Sequence, residues 1–436
     1  MFAPSPTRRR VTLARAFPAL ALALAAACAP AVAPAGSSPR QATAPSPGRV
    51  APVFPGAEWE RVASPESAGW SGAGLDSVKA RLAQLPTTAM LAVVGGRVLL
   101  EHGDPAAVSY LASVRKSVLS MLFGRYVADG RIGLDRTLAE LGIDDVGGLT
   151  PAEKRATVRH LLSARSGVYH PASNPGDNLA DAPPRGSQRP GEYFLYSNWD
   201  FNALGTVFER ATGRSIYDAL GSDLARPLGM QDFDRAVQQK SGDATRSVHL
   251  AYHMDLSTRD MARLGLLMLR EGSWAGEQVV PREWVRESTR AVTRSAEMNP
   301  ASLRGGPFGY GYLWWVFDRP ELGPAYRGGY AGMGAYGQYL VVLPALDLVV
   351  AHKTRPGQGR EVSLRELLGV LELLVGARCP GACPAADRAL SPAPRAGGPA
   401  AAPQSPAGER RSPAWRAPRR TGAPPRTAPA ATGSGR

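Results

Sequence analysis

The chain has 436 residues, 44% of them hydrophobic, which is enough apolar material for one large core or for two lobes around a cleft. Its net charge of +14 comes from the two ends: residues 1–50 carry six arginines and no acidic residue, and residues 377–436 carry ten arginines and two acidic residues. Residues 51–376 hold 35 basic and 35 acidic side chains, so the charge does not indicate a nucleic-acid partner for the folded body.

The N-terminus has the pattern of an export signal. Four arginines precede the apolar run Ala16–Ala27, which is too short to span a membrane as a mature helix. The segment Leu24-Ala-Ala-Ala-Cys28 resembles a bacterial lipobox, in which the cysteine is lipidated, although alanine stands where leucine is usual. We therefore interpret residues 1–28 as the signal of an exported, periplasmic lipoprotein anchored to the membrane through Cys28. Simple cleavage and secretion is the alternative.

Two segments of biased composition frame the body. Residues 29–56 are rich in Ala, Pro and Ser, which is typical of a flexible linker. Residues 377–436 are rich in Pro, Ala, Gly and Arg, and predict a disordered tail. The predicted domain is therefore residues 57–376. Cys379 and Cys383 can pair with each other, which leaves Cys28 unpaired.

The body begins with a helix and a hairpin. Apolar residues at helical spacing predict a helix over Asp76–Leu85. Two apolar runs around Gly95-Gly96 predict a β-hairpin over Met90–Glu101.

The segment Ser109–Gly130 contains the first chemical signal. Ser113 and Lys116 are three residues apart on one predicted helix, so the hydroxyl and the amine share a face and can share a proton. The chain has only five lysines among 51 basic residues, and lysine, unlike arginine, can lose its proton. The alternative interpretation is a capped helix start with a solvated lysine. Small residues at 113, 117, 120 and 124, with large apolar residues on other faces, predict a buried helix and favour the catalytic interpretation.

The rest of the body is helical first and then strand-rich. Residues 130–270 are mainly helical, with amphipathic segments over Asn198–Gly213 and Ser257–Gly272. Strands are predicted over residues 309–317, 337–343 and 346–352, followed by a helix over residues 362–375. The predicted fold is α/β (α+β): an antiparallel sheet of about five strands from both chain ends, a large mainly helical lobe, and a ligand cleft between them.

Further motifs follow Ser113-x-x-Lys116 in a fixed order. In chain order they are His160-Leu-Leu-Ser-Ala-Arg-Ser-Gly167, Tyr196-x-Asn198 after a turn, Pro227-Leu-Gly-Met230 and Asp260-Met-Ala-Arg-Leu-Gly. In this order they resemble the serine β-lactamase and DD-peptidase superfamily over residues 65–376. The pattern is most similar to the class C β-lactamase-like esterases and 6-aminohexanoate-dimer hydrolases.

The resemblance implies a role for each matching residue. Ser113 would be the acylated nucleophile, Lys116 its proton partner, and Tyr196 the second base that passes the proton to the leaving group. Asn198 would orient the substrate and Lys116. Free tyrosine and lysine have pKa values near 10, so such a site works only if the groups perturb one another as a unit.

The third motif of the superfamily, Lys/His-Thr/Ser-Gly on the strand facing the nucleophile, is missing. Residues 327–336 occupy its place and contain no lysine. This lack argues against efficient turnover of β-lactams or D-Ala-D-Ala, and makes an ester or neutral amide the more plausible substrate. Arg327 could replace the cation as partner of a substrate carboxylate. Lys353-Thr354 lies one strand too late and is interpreted as a chance match.

The glycines of this segment predict an oxyanion hole. A strand edge without side chains lets backbone N–H groups approach a reacting carbonyl. We expect the amides of Ser113 and Ala335 to donate to it.

Other kinds of site are not indicated. The chain has no G-x-S-x-G elbow, and His249 and His253 lack a third metal ligand nearby, so no metal and no cofactor are predicted. Trp314-Trp315 is interpreted as core packing.

The sequence thus predicts an exported serine hydrolase that forms an acyl-enzyme on Ser113 and cleaves a small-molecule ester or amide. The alternatives are a weak β-lactamase or D-Ala-D-Ala peptidase, and a non-catalytic penicillin-binding-like protein.

Overall fold

A computed structural model describes residues 53–379, 381 and 383. Cys28, residues 1–52 and most of the predicted tail lie outside the described residues. Within them, Val53 donates its N–H to Gly95 O at 2.9 Å, so the chain joins the fold before the predicted domain start at residue 57. At the other end, Cys379 and Cys383 form a disulfide.

The α-helices of the described residues alternate with long loops. Their bounds are α1 Gly72–Ala83, α2 Val114–Ala128, α3 Val158–Leu162, α4 Asn198–Thr212, α5 Ile216–Ala219, α6 Arg226–Leu228, α7 Thr258–Leu269, α8 Arg282–Ser288 and α9 Leu364–Gly376. The five predicted helical segments correspond to α1, α2, α4, α7 and α9, and these predictions are confirmed to within a few residues.

The strands form one large sheet and three two-stranded ribbons. The large sheet contains β1 Ala89–Val94, β2 Arg97–Gly103, β9 Phe308–Tyr310, β10 Trp315–Phe317, β11 Tyr330–Gly334, β12 Gln338–Leu343 and β13 Leu348–Lys353. Its order is β2-β1-β13-β12-β11-β10-β9, and every neighbouring pair is antiparallel. The ribbons pair β3 Ser109–Tyr110 with β6 Asp255–Leu256, β4 Gln239–Ser241 with β5 Ala251–His253, and β7 Ser273–Trp274 with β8 Glu277–Gln278.

The predicted α/β fold, with an antiparallel sheet built from both chain ends and a helical lobe, is confirmed. The predicted strand number of about five is too low, because the sheet has seven strands among the described residues. The segment predicted as one strand over residues 309–317 is a hairpin, closed by a turn in which Gly311 N–H donates to Trp314 O at 2.8 Å. The strand Tyr330–Gly334 was missed because its glycines have low strand propensity. Glycine is needed there, since a Cβ on Gly332 would lie 2.9 Å from Ser117 Oγ of α2.

Both faces of the sheet are covered. Along β12, Leu340 and Val342 join the core shared with α2 and α7, whereas Val341 and Leu343 join the core shared with α1 and α9. This two-sided burial explains why the strand is a continuous apolar run instead of an alternating one. It also fixes α2, whose residues 114–124 are all buried, between the sheet and the helical lobe.

Two glycines inside helices differ in the space around them: Gly124 is tightly packed and Gly369 is not. A Cβ on Gly124 of α2 would lie 2.5 Å from the Trp284 ring, whereas a Cβ on Gly369 of α9 would meet nothing within 4 Å. We expect Gly124→Ala to lower the free energy of unfolding by about 1–3 kcal/mol through overpacking. Gly369→Ala should raise it by about 0.5–1 kcal/mol through helix propensity. Urea unfolding of both variants tests this, and a shift of the same sign in both would contradict the packing of α2.

Candidate active site

The site is built where α2 begins. Ala112 has φ of +48°, a left-handed conformation that is unfavourable for a residue with a Cβ, and Ser113 follows it as the first residue of the helix turn. The strand β11 passes so close that a Cβ on Gly334 would lie 2.9 Å from Ser113 N and 2.6 Å from Leu111 O. The close approach of the two backbones therefore places Ser113 beside Gly334, at the end of β11.

Three side chains meet around the amine of Lys116. Its Nζ lies 2.8 Å from Ser113 Oγ, 2.7 Å from Tyr196 OH and 2.7 Å from Asn198 Oδ1. Asn198 Nδ2 donates to Pro175 O at 2.9 Å, and because a carbonyl can only accept, this bond places the amide oxygen of Asn198 toward Lys116. The four predicted residues are therefore assembled in one hydrogen-bonded cluster.

Burial controls the charge of this cluster. Lys116 is 1% exposed, and burial, followed by the neighbouring Arg115, lowers its pKa well below the ordinary lysine value. Burial also raises the pKa of Tyr196, so the phenol keeps its proton. A neutral amine has two N–H donors and one lone pair. One donor is committed to Asn198, which leaves one donor and one lone pair for the hydroxyls of Ser113 and Tyr196. The lysine can thus take a proton from one hydroxyl while donating to the other.

A cavity of about 520 Å³ opens above Ser113. Its wall is mostly apolar and includes Met298, Leu303, Phe308, Trp315, Met333 and Leu364. Asp177 is the one charged side chain among the described residues that line it. The carboxylate also accepts the N–H of Asn198 at 3.0 Å, at the start of α4.

Ser113 and Ala335 both line this cavity. Within the described part of the chain, neither N–H donates a hydrogen bond. Two free donors beside a nucleophile are what an oxyanion hole requires. That the amides of Ser113 and Ala335 form an oxyanion hole stays a prediction, and their free N–H groups agree with it.

The structure does not bring Arg327 into the cavity. Arg327 is exposed and precedes β11, whereas the other end of this strand, at Gly334, meets Ser113. Lys353 is buried away from Ser113, donates to the carbonyls of Ser109 (2.6 Å) and Leu256, and has its pKa lowered by burial to about 7. It links β13 to the ribbon β3–β6.

The two histidines lie in different surroundings, and so do the two tryptophans. His249 contacts Thr206 and His253 contacts Tyr110, each at 2.9 Å, and the described residues contain no group of three or more His, Cys, Asp or Glu side chains suited to a metal ion. Trp314 is buried against Tyr330. Trp315 lines the cavity instead and stacks on Tyr196, with ring centroids 5.4 Å apart.

Sequence reasoning missed Trp315 and Asp177. Adjacent strand residues point to opposite faces, so the pair Trp314-Trp315 could have indicated one ring in the core and one on the other side. Asp177 lies in a loop rich in Pro and Gly, and no local pattern connects that loop to Ser113.

Fold and site together define a class: proteins in which a serine, a lysine and a tyrosine converge between an antiparallel sheet and a helical lobe. The family model described as Beta-lactamase matches residues 76–364, and the chain belongs to this family of the serine β-lactamase/transpeptidase-like superfamily. The family includes hydrolases. The 6-aminohexanoate-dimer hydrolase of Paenarthrobacter ureafaciens is 26% identical over 308 residues, which cover 63% of this chain and 74% of that protein.

Solved structures share the fold. A penicillin-binding protein homologue from Caulobacter crescentus has a TM-score of 0.52 at 16% identity, covering 71% of this chain and 99% of its own. EstCE1, described as a hydrolase with promiscuous acyltransferase activity, has a TM-score of 0.51 at 18% identity, covering 69% of this chain and 97% of its own.

The helices of the described residues include none with the length and apolar character of a membrane span.

The two buried lysines make a matched pair for testing the site. Lys116→Met should slow the reaction of Ser113 with a fluorophosphonate by about 10²–10⁴, because the base is lost. Lys353→Met should destabilise the fold, since two buried carbonyls lose their donor, but it should leave the labelling of Ser113 in place. Mass spectrometry measures the adduct. Equal loss of labelling in both variants would contradict the assignment of Lys116.

Proposed function

We propose that the protein is a serine hydrolase that forms an acyl-enzyme on Ser113 and releases the acyl group to water, acting on a carboxylic ester or small amide. The observation that carries this proposal is the buried amine of Lys116, which lies within 2.8 Å of both Ser113 Oγ and Tyr196 OH. A binder without turnover has no need of a nucleophile, a neutral amine and a protonated phenol in contact.

The proposed steps follow from the protonation states. The lone pair of Lys116 accepts the proton of Ser113 Oγ as this oxygen attacks the substrate carbonyl. The amides of Ser113 and Ala335 donate to the oxygen that becomes negative. Tyr196 gives its proton to the departing alcohol or amine, and Lys116 returns a proton to Tyr196. Water then enters in place of the leaving group and the same transfers run in reverse.

The charge of the cavity supports a substrate class. Asp177 is its charged residue, and Arg327 lies outside it, so the described wall offers no cation to a substrate carboxylate. An ester or amide that is neutral or carries an ammonium group fits this wall better than an anionic one. β-Lactams and D-Ala-D-Ala peptides, which are recognised through a carboxylate, are the less favoured candidates.

Three matched esters test this class: p-nitrophenyl butyrate, its 4-trimethylammonio derivative, and mono-p-nitrophenyl succinate. We expect kcat/KM for the anionic ester to be lower than for the cationic one by about tenfold or more, from one carboxylate at close range. Asp177→Asn should reduce this ratio. A chromogenic cephalosporin, a D-Ala-D-Ala peptide and the 6-aminohexanoate dimer complete the panel.

The outcomes separate the claims. No adduct on Ser113 and no hydrolysis of any ester would reject the hydrolase. Hydrolysis with the same charge preference in the Asp177→Asn variant would reject the substrate class and leave the hydrolase standing. Rapid cephalosporin turnover would show that this family member needs no cation on the strand that faces Ser113.

We also propose that the protein is exported and anchored through a lipid on Cys28, for which the N-terminal sequence is the support. In a bacterial host, an alkyne-bearing palmitate should label the wild-type protein and not the Cys28→Ser variant. Fractionation should place the label in the membrane. Labelling that persists in Cys28→Ser, or a wild-type protein recovered without label from the medium, would contradict the anchor.

A further inference from the structure

A second buried cation, Arg115, precedes Lys116 on α2. The two side chains bind one face of α4, because Lys116 contacts Asn198 and Arg115 contacts Asn202 one helical turn further on. Arg115 is 2% exposed, and its Nη2 donates to Asn202 Oδ1 at 3.2 Å. Its guanidinium carbon lies 4.3 Å from the centroid of the Tyr252 ring, and Nη1 has no hydrogen-bond partner. In the part of the chain that the structure describes, neither Arg115 nor Lys116 forms an ion pair with a carboxylate.

Two neighbouring cations that form no ion pair are unfavourable in a buried site, because charges interact strongly where water is excluded. One of the two groups can relieve this repulsion by losing its proton. A guanidinium cannot be deprotonated in proteins, whereas an amine can. The lysine is therefore the group that becomes neutral.

We propose that Arg115, a positioning residue that does not line the substrate cavity, acts through Lys116 by keeping its amine in the unprotonated form. This inference rests on the proposed function in one respect: the unprotonated amine matters because it accepts the proton of Ser113. The arrangement of the two cations stands without it.

The other groups around Lys116 do not replace this effect. Tyr196, before α4, and Asn198, on α4, are neutral, and Tyr310 of β9 is a buried phenol beyond Tyr196. Asp177 acts in the opposite direction, since its carboxylate favours the ammonium form. Burial has the largest effect on the pKa of Lys116, and Arg115 comes second.

The neighbours of Arg115 are neutral as well. Tyr252 on β5 packs against the guanidinium, and burial raises the pKa of its phenol. His253, on the same strand, contacts Tyr110 OH at 2.9 Å, and burial followed by Arg115 lowers its pKa to about 4. These neighbours therefore do not offset the positive charge of Arg115.

The test measures the protonation of Lys116 directly. The chain has five lysines, at positions 79, 116, 154, 240 and 353, so selective 13C labelling at Cε gives a spectrum that can be assigned with Lys→Arg variants. Arg115→Met removes the charge and keeps the apolar stem. We expect it to raise the titration midpoint of Lys116 by about one pH unit. Asp177→Asn should lower the midpoint.

Arg263→Met is the matched control. Arg263 is also fully buried, donates to Leu228 O at 2.8 Å, and is not among the charges that act on Lys116. This variant should lose stability but keep the midpoint of Lys116. The rate at which Ser113 reacts with a fluorophosphonate gives a second readout. One pH unit below the midpoint of the wild-type protein, Arg115→Met should lose up to about tenfold in rate, while the plateau at high pH is retained.

An unchanged midpoint in folded Arg115→Met would overturn the proposal. If that variant does not fold, Arg115→Gln, which keeps a donor for Asn202, takes its place. Failure of both to fold would assign Arg115 to the stability of the fold and would also overturn the proposal. A wild-type protein whose Ser113 does not react would reject the proposed function instead, because the NMR midpoint requires no turnover.

Discussion

The structure depends on the burial of one amine. Lys116 lies inside a helix whose residues 114–124 are all buried, and its Nζ finds three polar atoms, all of them uncharged. An ammonium ion without a carboxylate is strongly disfavoured in such a place, whereas a neutral amine is satisfied by the same three contacts. The chemistry of the site therefore follows from packing. Burial lowers the pKa of Lys116 and so favours the unprotonated amine that the proposed mechanism requires.

The sheet supplies the conditions for this burial. Helices cover both faces of the sheet. On one face, α2 approaches β11 so closely that there is no room for a side chain on Gly332 or Gly334. The same contacts set the strained turn at Ala112 that presents Ser113. Glycines that weaken β11 as an isolated strand are thus what allows the nucleophile to reach the sheet. Local propensity and tertiary packing oppose each other here, and packing wins.

The parts of the fold that sequence could predict are those with a local signal. Helical spacing identified α4 and α7, and Gly95-Gly96 identified the hairpin of β1 and β2. Ser113 and Lys116 were indicated by their spacing on one helix, whereas Tyr196 and Asn198 were assigned from the resemblance to the superfamily. The strand β11 and the hairpin of β9 and β10 escaped prediction, since glycine content and a turn within an apolar run hide them. The contacts of Val53 with Gly95 and of Cys379 with Gly69 join residues that are distant in sequence, so no local pattern predicts them.

The residues that choose a substrate have no such signal. Asp177, Met298, Trp315 and Met333 come from loops and strands spread over more than 150 residues of sequence, and only the folded cavity brings them together. In the proposed mechanism the acylating groups must keep one geometry, because a proton has to pass among atoms that lie less than 3 Å apart. The cavity wall has only to match a shape and a charge, which many sequences can do. The reaction is therefore easier to predict from one sequence than the substrate is. In this protein the best physical indication of the substrate is the charge of the cavity wall, whose described residues include one carboxylate and no cation.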